Sequence, residues 1–471
     1  MKAPAFIGAC MLSACSSVPP VDLYAPVLPD SYVNQPPDAT RAAARSGVPD
    51  EDVARFWRDF HDPQLNALVE QALRTNADVR IAVANLREAR AVGRFTDAQL
   101  WPTVDVVASA ARVRAPFNNG PVDTKSVFSA GLDMSWEVDL FGRLSNERVA
   151  ARAQALASEA GLQGTQLSVS AEVARNYFDM RGLQERLRVA HASLQTQQAI
   201  LDLVDARQQA GRGTAFDTER TKTLLGSTAA TVPALEASVL RTRYRLSTLC
   251  GLTPASLDAE LSEPKPLPGL RSVQLGAIDS PESLLRRRPD VRAAEQQAYA
   301  AAARVGVARS ALFPRVTLGG TLGQNAFSVG DLGKGSSYVY NLGAQLVWNL
   351  IDFGRVRALI EAADAHNEAV LADYERAVLN ALEETEGALA SYTRSQQQAD
   401  HLYDAARAAE AAAVIARERF RVGTTDFLSV LDAERELLLA RDNLAQAQTA
   451  AATSLVVVYK ALAGGWGPPG P

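Results

Sequence analysis

Three cysteines in 471 residues, two of them in the first fifteen, leave no disulfide framework. The histidines, His61, His191, His366 and His401, stand at no ligand spacing, so no metal or other cofactor is expected. Also missing are a phosphate-cradling glycine loop and a serine nucleophile elbow, which leaves no enzyme chemistry to assign. Charge of one sign is not in excess: 48 Lys and Arg against 53 Asp and Glu give a net charge of −5, and the longest basic block is Arg286-Arg287-Arg288. A nucleic-acid partner is not expected from such a balance. There is no run of 18 or more apolar residues to read as a membrane-spanning helix, although a membrane β-barrel stays open because its strands alternate in polarity. What is present is a chain 47% hydrophobic and 21% charged, long enough to bury a large core and to form two or three domains.

The N-terminus points to export. Lys2, a short apolar run over 3–12 and the tetrad Leu12-Ser13-Ala14-Cys15 resemble a bacterial lipoprotein signal, with residues 1–14 removed and Cys15 acylated. Ser16 follows, and the sorting rule implied by that resemblance sends a lipoprotein without Asp at this place to the outer membrane. Residues 15–50 carry scattered prolines without helical periodicity and read as a lipid-anchored tether. Cys250 alone would remain as a thiol, in an apolar helical context that suits a small core residue.

A repeat organises the remainder. At a shift of 212, Asp78-Val79-Arg80 falls on Asp290-Val291-Arg292, Trp136 on Trp348 and Phe141-Gly142-Arg143 on Phe353-Gly354-Arg355. Farther on, glycine identities place the match at 210 (Gly213-Thr214 on Gly423-Thr424) and then at 213 (Gly251 on Gly464). The units are 51–252 and 282–463, with a linker or equatorial segment at 253–281 and a tail at 464–471, and the length of the unit marks a duplicated half rather than a solenoid.

Within each unit the periodicity changes in one order. An alanine-rich helix ends at Pro102 or Pro314; period-two alternation follows, predicting β-hairpins over 103–137 and 315–348 with turns at 114–125 and 324–336. Then come helical hairpins over 143–250 and 355–463, whose first arms exceed 65 residues, on the order of 100 Å each. Strands of about ten residues suit a tilted bilayer crossing, yet four of them cannot close, so an open lumen needs several copies; three would supply twelve strands. Trp101, Trp136 and Trp348 sit at the helix-proximal strand ends, where an interfacial aromatic girdle would lie.

These features carry a family resemblance. LLRRRPDVRAAE at 284–295, the paired Leu-Trp-Pro and Leu-Phe-Pro sites, the paired Phe-Gly-Arg sites and FRVGTTDFLSVLDAE at 420–434 resemble the TolC family of outer-membrane factors, in the lipoprotein branch that serves RND-type drug efflux. The resemblance implies a mixed α and transmembrane β fold: a trimeric twelve-stranded β-barrel, four strands per protomer, continued by a long periplasmic α-helical barrel. It implies a homotrimer in outer-membrane lipid, with a periplasmic adaptor (membrane fusion protein) and an inner-membrane efflux transporter as partners, and a belt of short elements at 253–281 and the C-terminal end. Adaptor docking is then expected at the helix turns Gly211, Gly213 and Thr214, and Val422, Gly423 and Thr424. A periplasmic gate is expected at Leu428 and Asp432, which share a helix face, with Arg419 and Arg421 bonding to neighbouring helices. Export of protein through a type I secretion system is the alternative within the channel reading, and a periplasmic coiled-coil adaptor the alternative outside it. Two charged groups stay apart from this scheme: Arg286–Arg288 read as packing and capping at a helix start, and Glu383, Glu384 and Glu386 as solvated helix face or lumen lining.

Overall fold

A computed structural model describes residues 21, 23–24, 26–34, 55–116, 122–267 and 280–463. Cys15, most of the 15–50 segment, 268–279 and the 464–471 tail lie outside the described residues. After a 3-10 turn at Phe56–Phe60 come α1 (Pro63–Thr75), α2 (Ala77–Ala98), β1 (Thr103–Pro116), β2 (Val122–Val138), α3 (Arg143–Gln209) and α4 (Ala215–Leu249). The second half supplies α5 (Pro281–Arg287), α6 (Pro289–Ser310), β3 (Arg315–Ala326), β4 (Tyr338–Val347), α7 (Arg355–Arg421) and α8 (Phe427–Ala461). Two compact units divide these elements, one from 85–159 and 293–376, the other from 26–84, 160–292 and 377–471.

The repeat is gap-free, which corrects the shifts of 210 and 213. Helices α2 and α6 have 22 residues each, α3 and α7 have 67, α4 and α8 have 35, and every pair begins and ends 212 residues apart. The glycine identities misled because left-handed positions, not glycines, are what repeats. Gly211 (φ +70°) matches Gly423 (φ +81°), and Gly251 (φ +68°) matches Ala463 (φ +62°).

In the first unit one antiparallel sheet runs β1-β2-β3-β4. The first hairpin is longer than alternation suggests, pairing out to Pro116 and Val122, because the β1–β2 ladder of backbone bonds carries the strands through residues of turn-like composition. Two cross-strand polar contacts fall on odd-numbered positions: the Ser109 and Ser129 hydroxyls lie 2.6 Å apart and Thr321 Oγ1 donates to Asp133 Oδ1 at 2.7 Å. The helices beside the sheet carry a charge exchange between repeats. Arg152 pairs with Asp97 at 3.1 Å, while at the equivalent places Arg309 pairs with Asp364 at 3.2 Å. Cross-pairing of the repeats would set like charges together, so these exposed pairs contribute more to pairing choice than to stability.

The second unit holds the main core. Phe56 stacks on Tyr459 with ring centroids 5.2 Å apart, Phe60 packs on Phe178 at 4.8 Å, and the Tyr459 hydroxyl donates to Asp59 at 2.9 Å. The tether is not wholly extended away from the body: Tyr32 is buried in this core, and the Val33 and Asn34 amides donate to Glu386 at 2.8 and 3.2 Å. The connection after α4 is pinned by α3, through Arg181 Nη1 to the Glu263 carbonyl (2.7 Å) and Gln184 Nε2 to that of Leu261 (2.9 Å). Buried Cys250 sits in the same core, its thiol pushed up to about 11 by desolvation and the nearby Glu260 charge.

The basic triplet resolves into a structural role for its last member. Arg288 is 5% exposed and forks onto Asp290 (2.7 Å) and Glu384 (2.6 Å), while Nη1 donates to the Ala461 carbonyl at 3.0 Å. Its repeat mate Asn76 donates to the Leu249 carbonyl at the same 3.0 Å. Two different side chains thus satisfy the same orphan carbonyl where a long helix ends. Glu384 and Glu386 are accordingly anchors for Arg288 and for residues 33–34, a use that neither reading of the acidic group foresaw.

One exclusion also needs amending. Residues 223–240 of α4 carry a single charge, Glu236, so this helix has the length and composition of a membrane span even though Ser, Thr and Pro233 interrupt its apolar run. Its apolar stretch is largely exposed in the single chain.

Candidate functional site

Each helical hairpin turns through a capped tip. In the first, α3 closes with the Arg212 amide on the Arg207 carbonyl at 2.8 Å, and Thr214 and Asp217 form a capping box on α4. In the second, the Thr424 amide reaches the Arg419 carbonyl at 2.9 Å, and Asp426 caps α8 by accepting from Ser429 N (3.0 Å) and Oγ (2.6 Å). Gly211 and Gly423 supply the left-handed residues, which only glycine adopts without a steric penalty. Gly213 has a different constraint: a Cβ there would meet the Gln208 backbone nitrogen at 3.1 Å. Val422 and Thr424 are exposed at the second tip.

Behind the tips lies a cluster that the sequence reading did not single out. Phe420, Phe427, Val430 and Leu431 pack with Val204 of α3, and the Arg207 guanidinium lies 4.0 Å from the Phe420 ring centroid. Its signal was available as apolar residues at 420, 427, 430 and 431, the inward face of one turn and one helix. The same helix buries Glu434, which meets Arg417 at 3.1 Å; desolvation pushes its carboxyl upward, and Arg417 and then Arg441 pull it back.

Leu428 (42% exposed) and Asp432 lie on the opposite, open face of α8, one helical turn apart. Within the single chain Arg421 finds its partner on its own helix. Arg421 folds back on Glu418 of its own helix, with N···O distances of 2.6 and 3.0 Å, since a partner three residues away is reached at less entropic cost than one on another helix. This pairing holds the Glu418 carboxyl below its usual range. Arg419 has an exposed side chain, and its carbonyl serves as the α7 cap acceptor.

At the strand ends, Trp136 Nε1 donates to the Leu100 carbonyl and Trp348 Nε1 to that of Leu312, each at 3.0 Å. The two tryptophans therefore tie the sheet to the helix end ahead of each proline, while Trp101 stands 74% exposed. Arg143 braces the same junction, its guanidinium raised chiefly by the hydrogen bond to Glu137 at 2.8 Å. Among the described residues no three His, Cys, Asp or Glu side chains are grouped to hold a metal ion.

Residues 68–252 and 280–464 both match the family described as Outer membrane efflux protein, so the chain belongs to that family and is an outer-membrane channel for efflux. Its fold is that of the trimeric outer-membrane channels, barrel and periplasmic helical tunnel together. Among relatives, it is 33% identical to the pyoverdine export outer membrane protein OpmQ of Pseudomonas aeruginosa, over 99% of this chain and 97% of that one. It is 30% identical to the toluene efflux pump outer membrane protein TtgI of Pseudomonas putida, over 86% of each chain. The solved channel OprN superposes with a TM-score of 0.84 at 38% identity, covering 95% of this chain and all of the other. The open state of MtrE from Neisseria gonorrhoeae gives 0.82 at 27%, covering 96% and 98%.

Proposed function

We propose that this channel is a passive exit duct for small toxic solutes, handed to it by a periplasmic adaptor and an inner-membrane transporter. The observation that carries this reading is that its near full-length relatives are named for exporting small molecules, pyoverdine and toluene. The chain's own part is geometric, and no residue in it is assigned a catalytic step. The tips present Gly211 and Thr214, with half-buried Gly213 between them, on one turn and exposed Val422, Gly423 and Thr424 on the other to an adaptor. Three copies would bring Leu428 and Asp432 around one axis, an apolar ring beside a carboxylate ring, which closes the resting tunnel and favours cations. Trp101, Trp136 and Trp348 serve as the girdle, and acylated Cys15 anchors each copy to the membrane.

The test is reconstitution. A strain lacking its own outer-membrane exit channel but expressing the cognate transporter and adaptor should regain ethidium efflux when this chain is supplied. Restored secretion of a protein substrate without restored dye efflux would overturn the small-solute reading.

A further inference from the structure

The gap-free repeat carries information about a contact that a single chain cannot show. Both hairpins obey the same register: paired residue numbers sum to 238 in β1–β2 (Thr103 with Ser135) and to 662 in β3–β4 (Arg315 with Val347), which is 238 plus twice 212. Between the repeats, β2 and β3 pair with a sum of 454, from Phe128 with Ala326 to Val138 with Val316. The stacked rings Phe141 and Phe313, 4.7 Å apart and 8° from parallel, continue that rule beyond the strands, since 141 and 313 also sum to 454.

Carrying this inter-repeat contact forward by 212 places β4 against β1 of a second copy, again with a sum of 454. We propose that each protomer joins the next in this register, with Phe353 stacking on Trp101 of the neighbouring copy as Phe141 stacks on Phe313. The proposal rests on the trimeric channel reading and adds to it the residues that meet.

Two observations support it independently. First, Val347–Phe353 is an exposed apolar segment in the single chain, with Leu350 73%, Ile351 75% and Phe353 96% exposed, and so is Trp101. An apolar stretch of this kind at a sheet edge calls for cover. Second, β2 runs three residues past its last β1 partner because β3 holds it there, whereas β4 stops at Val347, where its β3 partner begins. The missing extension, 348–350, is the part that would pair with 104–106 of the neighbour, whose Val104 and Val106 are 61% and 83% exposed.

Directly opposed residues in an antiparallel pair have Cα atoms about 4.5–5.5 Å apart, inside the range a disulfide spans. The experiment uses the full-length chain in outer membranes, with Gln345→Cys combined with Ser109→Cys, or with Val107→Cys or Ala111→Cys on the same face one pair away. Positions 345 and 109 lie on opposite edges of the sheet and cannot meet within one copy. Oxidation should convert the Ser109→Cys pair to covalent dimers and trimers at least about tenfold more efficiently than either displaced pair. Trimers that cross-link preferentially at 107 or 111, or at none of the three, overturn the register while leaving the channel reading intact. Absence of trimers in the single-cysteine parents overturns the channel reading and the proposal with it. For the ring contact, Phe353→Ala and Trp101→Ala should each lower the temperature at which SDS-resistant trimers dissociate, and the double variant should be no worse than the more sensitive single. Additive losses would remove the stacking from the interface.

Discussion

Replacing Arg288 by methionine tests whether the basic triplet is structural. The aliphatic volume is kept while the fork is lost. Of the two carbonyls it serves, that of Ala381 keeps the Thr385 hydroxyl at 2.8 Å, but that of Ala461 is left with only a 3.4 Å contact from the same hydroxyl. One buried acceptor without a good partner costs about 1–3 kcal/mol. Asp290 and Glu384 are 50% and 62% exposed, so losing their cation adds at most about 1 kcal/mol for each in screened surroundings. The sum, about 1–5 kcal/mol, should appear as a roughly fivefold to several-thousand-fold rise in local opening at the end of α8. Hydrogen–deuterium exchange of the amides over 456–461 in the purified trimer reads this directly. Arg288→Lys keeps the charge but not the fork and should fall between. Exchange in Arg288→Met within about threefold of the unaltered protein would refute the reasoning and reopen an anion-binding role.

Leu428→Ala with Asp432→Ala should raise single-channel conductance in planar bilayers and admit large antibiotics such as vancomycin into cells; unchanged conductance of a correctly inserted trimer removes both residues from the gate. Gly423→Val forces a β-branched residue to φ +81°, costing about 1–2 kcal/mol at the tip, and should abolish efflux while trimer abundance on gels is retained. Glu434 has a folded-state carboxyl raised above its unfolded value, so the tip gains stability as pH falls from neutrality and loses it as pH rises. Glu434→Gln should flatten that dependence in thermal melts between pH 5 and pH 8, and a parallel slope in both proteins would rule the carboxyl out. Metabolic fatty-acid labelling should mark the unaltered chain and fail in Cys15→Ser.

Interior periodicity made the strands and long helices legible, because burial on one face imposes a period of two or of 3.6 on any sequence that adopts it. The open face of α8 was readable for the same reason, as Leu428 and Asp432 fall one turn apart. Pairing choices were less accessible. Arg421 had several acidic residues in reach by sequence, and only the helix geometry selected Glu418. The repeat was visible where Trp136 and Trp348 preserve identity, but matching letters misaligned it at the tips, where left-handed Gly211 corresponds to Gly423, and at the ends of α4 and α8, where left-handed Gly251 corresponds to Ala463.

By itself, then, the order of residues determined the duplicated unit and the succession of helix, hairpin and helical hairpin. These follow from local properties: periodicity, proline and glycine placement, and composition. Tertiary structure alone decided that Asn76 and Arg288 do one job in the two halves, that Glu386 holds residues 33–34, and that the repeats differ by 212 residues throughout. Each of these depends on which distant groups share a buried site, where an unpaired carbonyl or amide is costly and any side chain able to reach it can satisfy it.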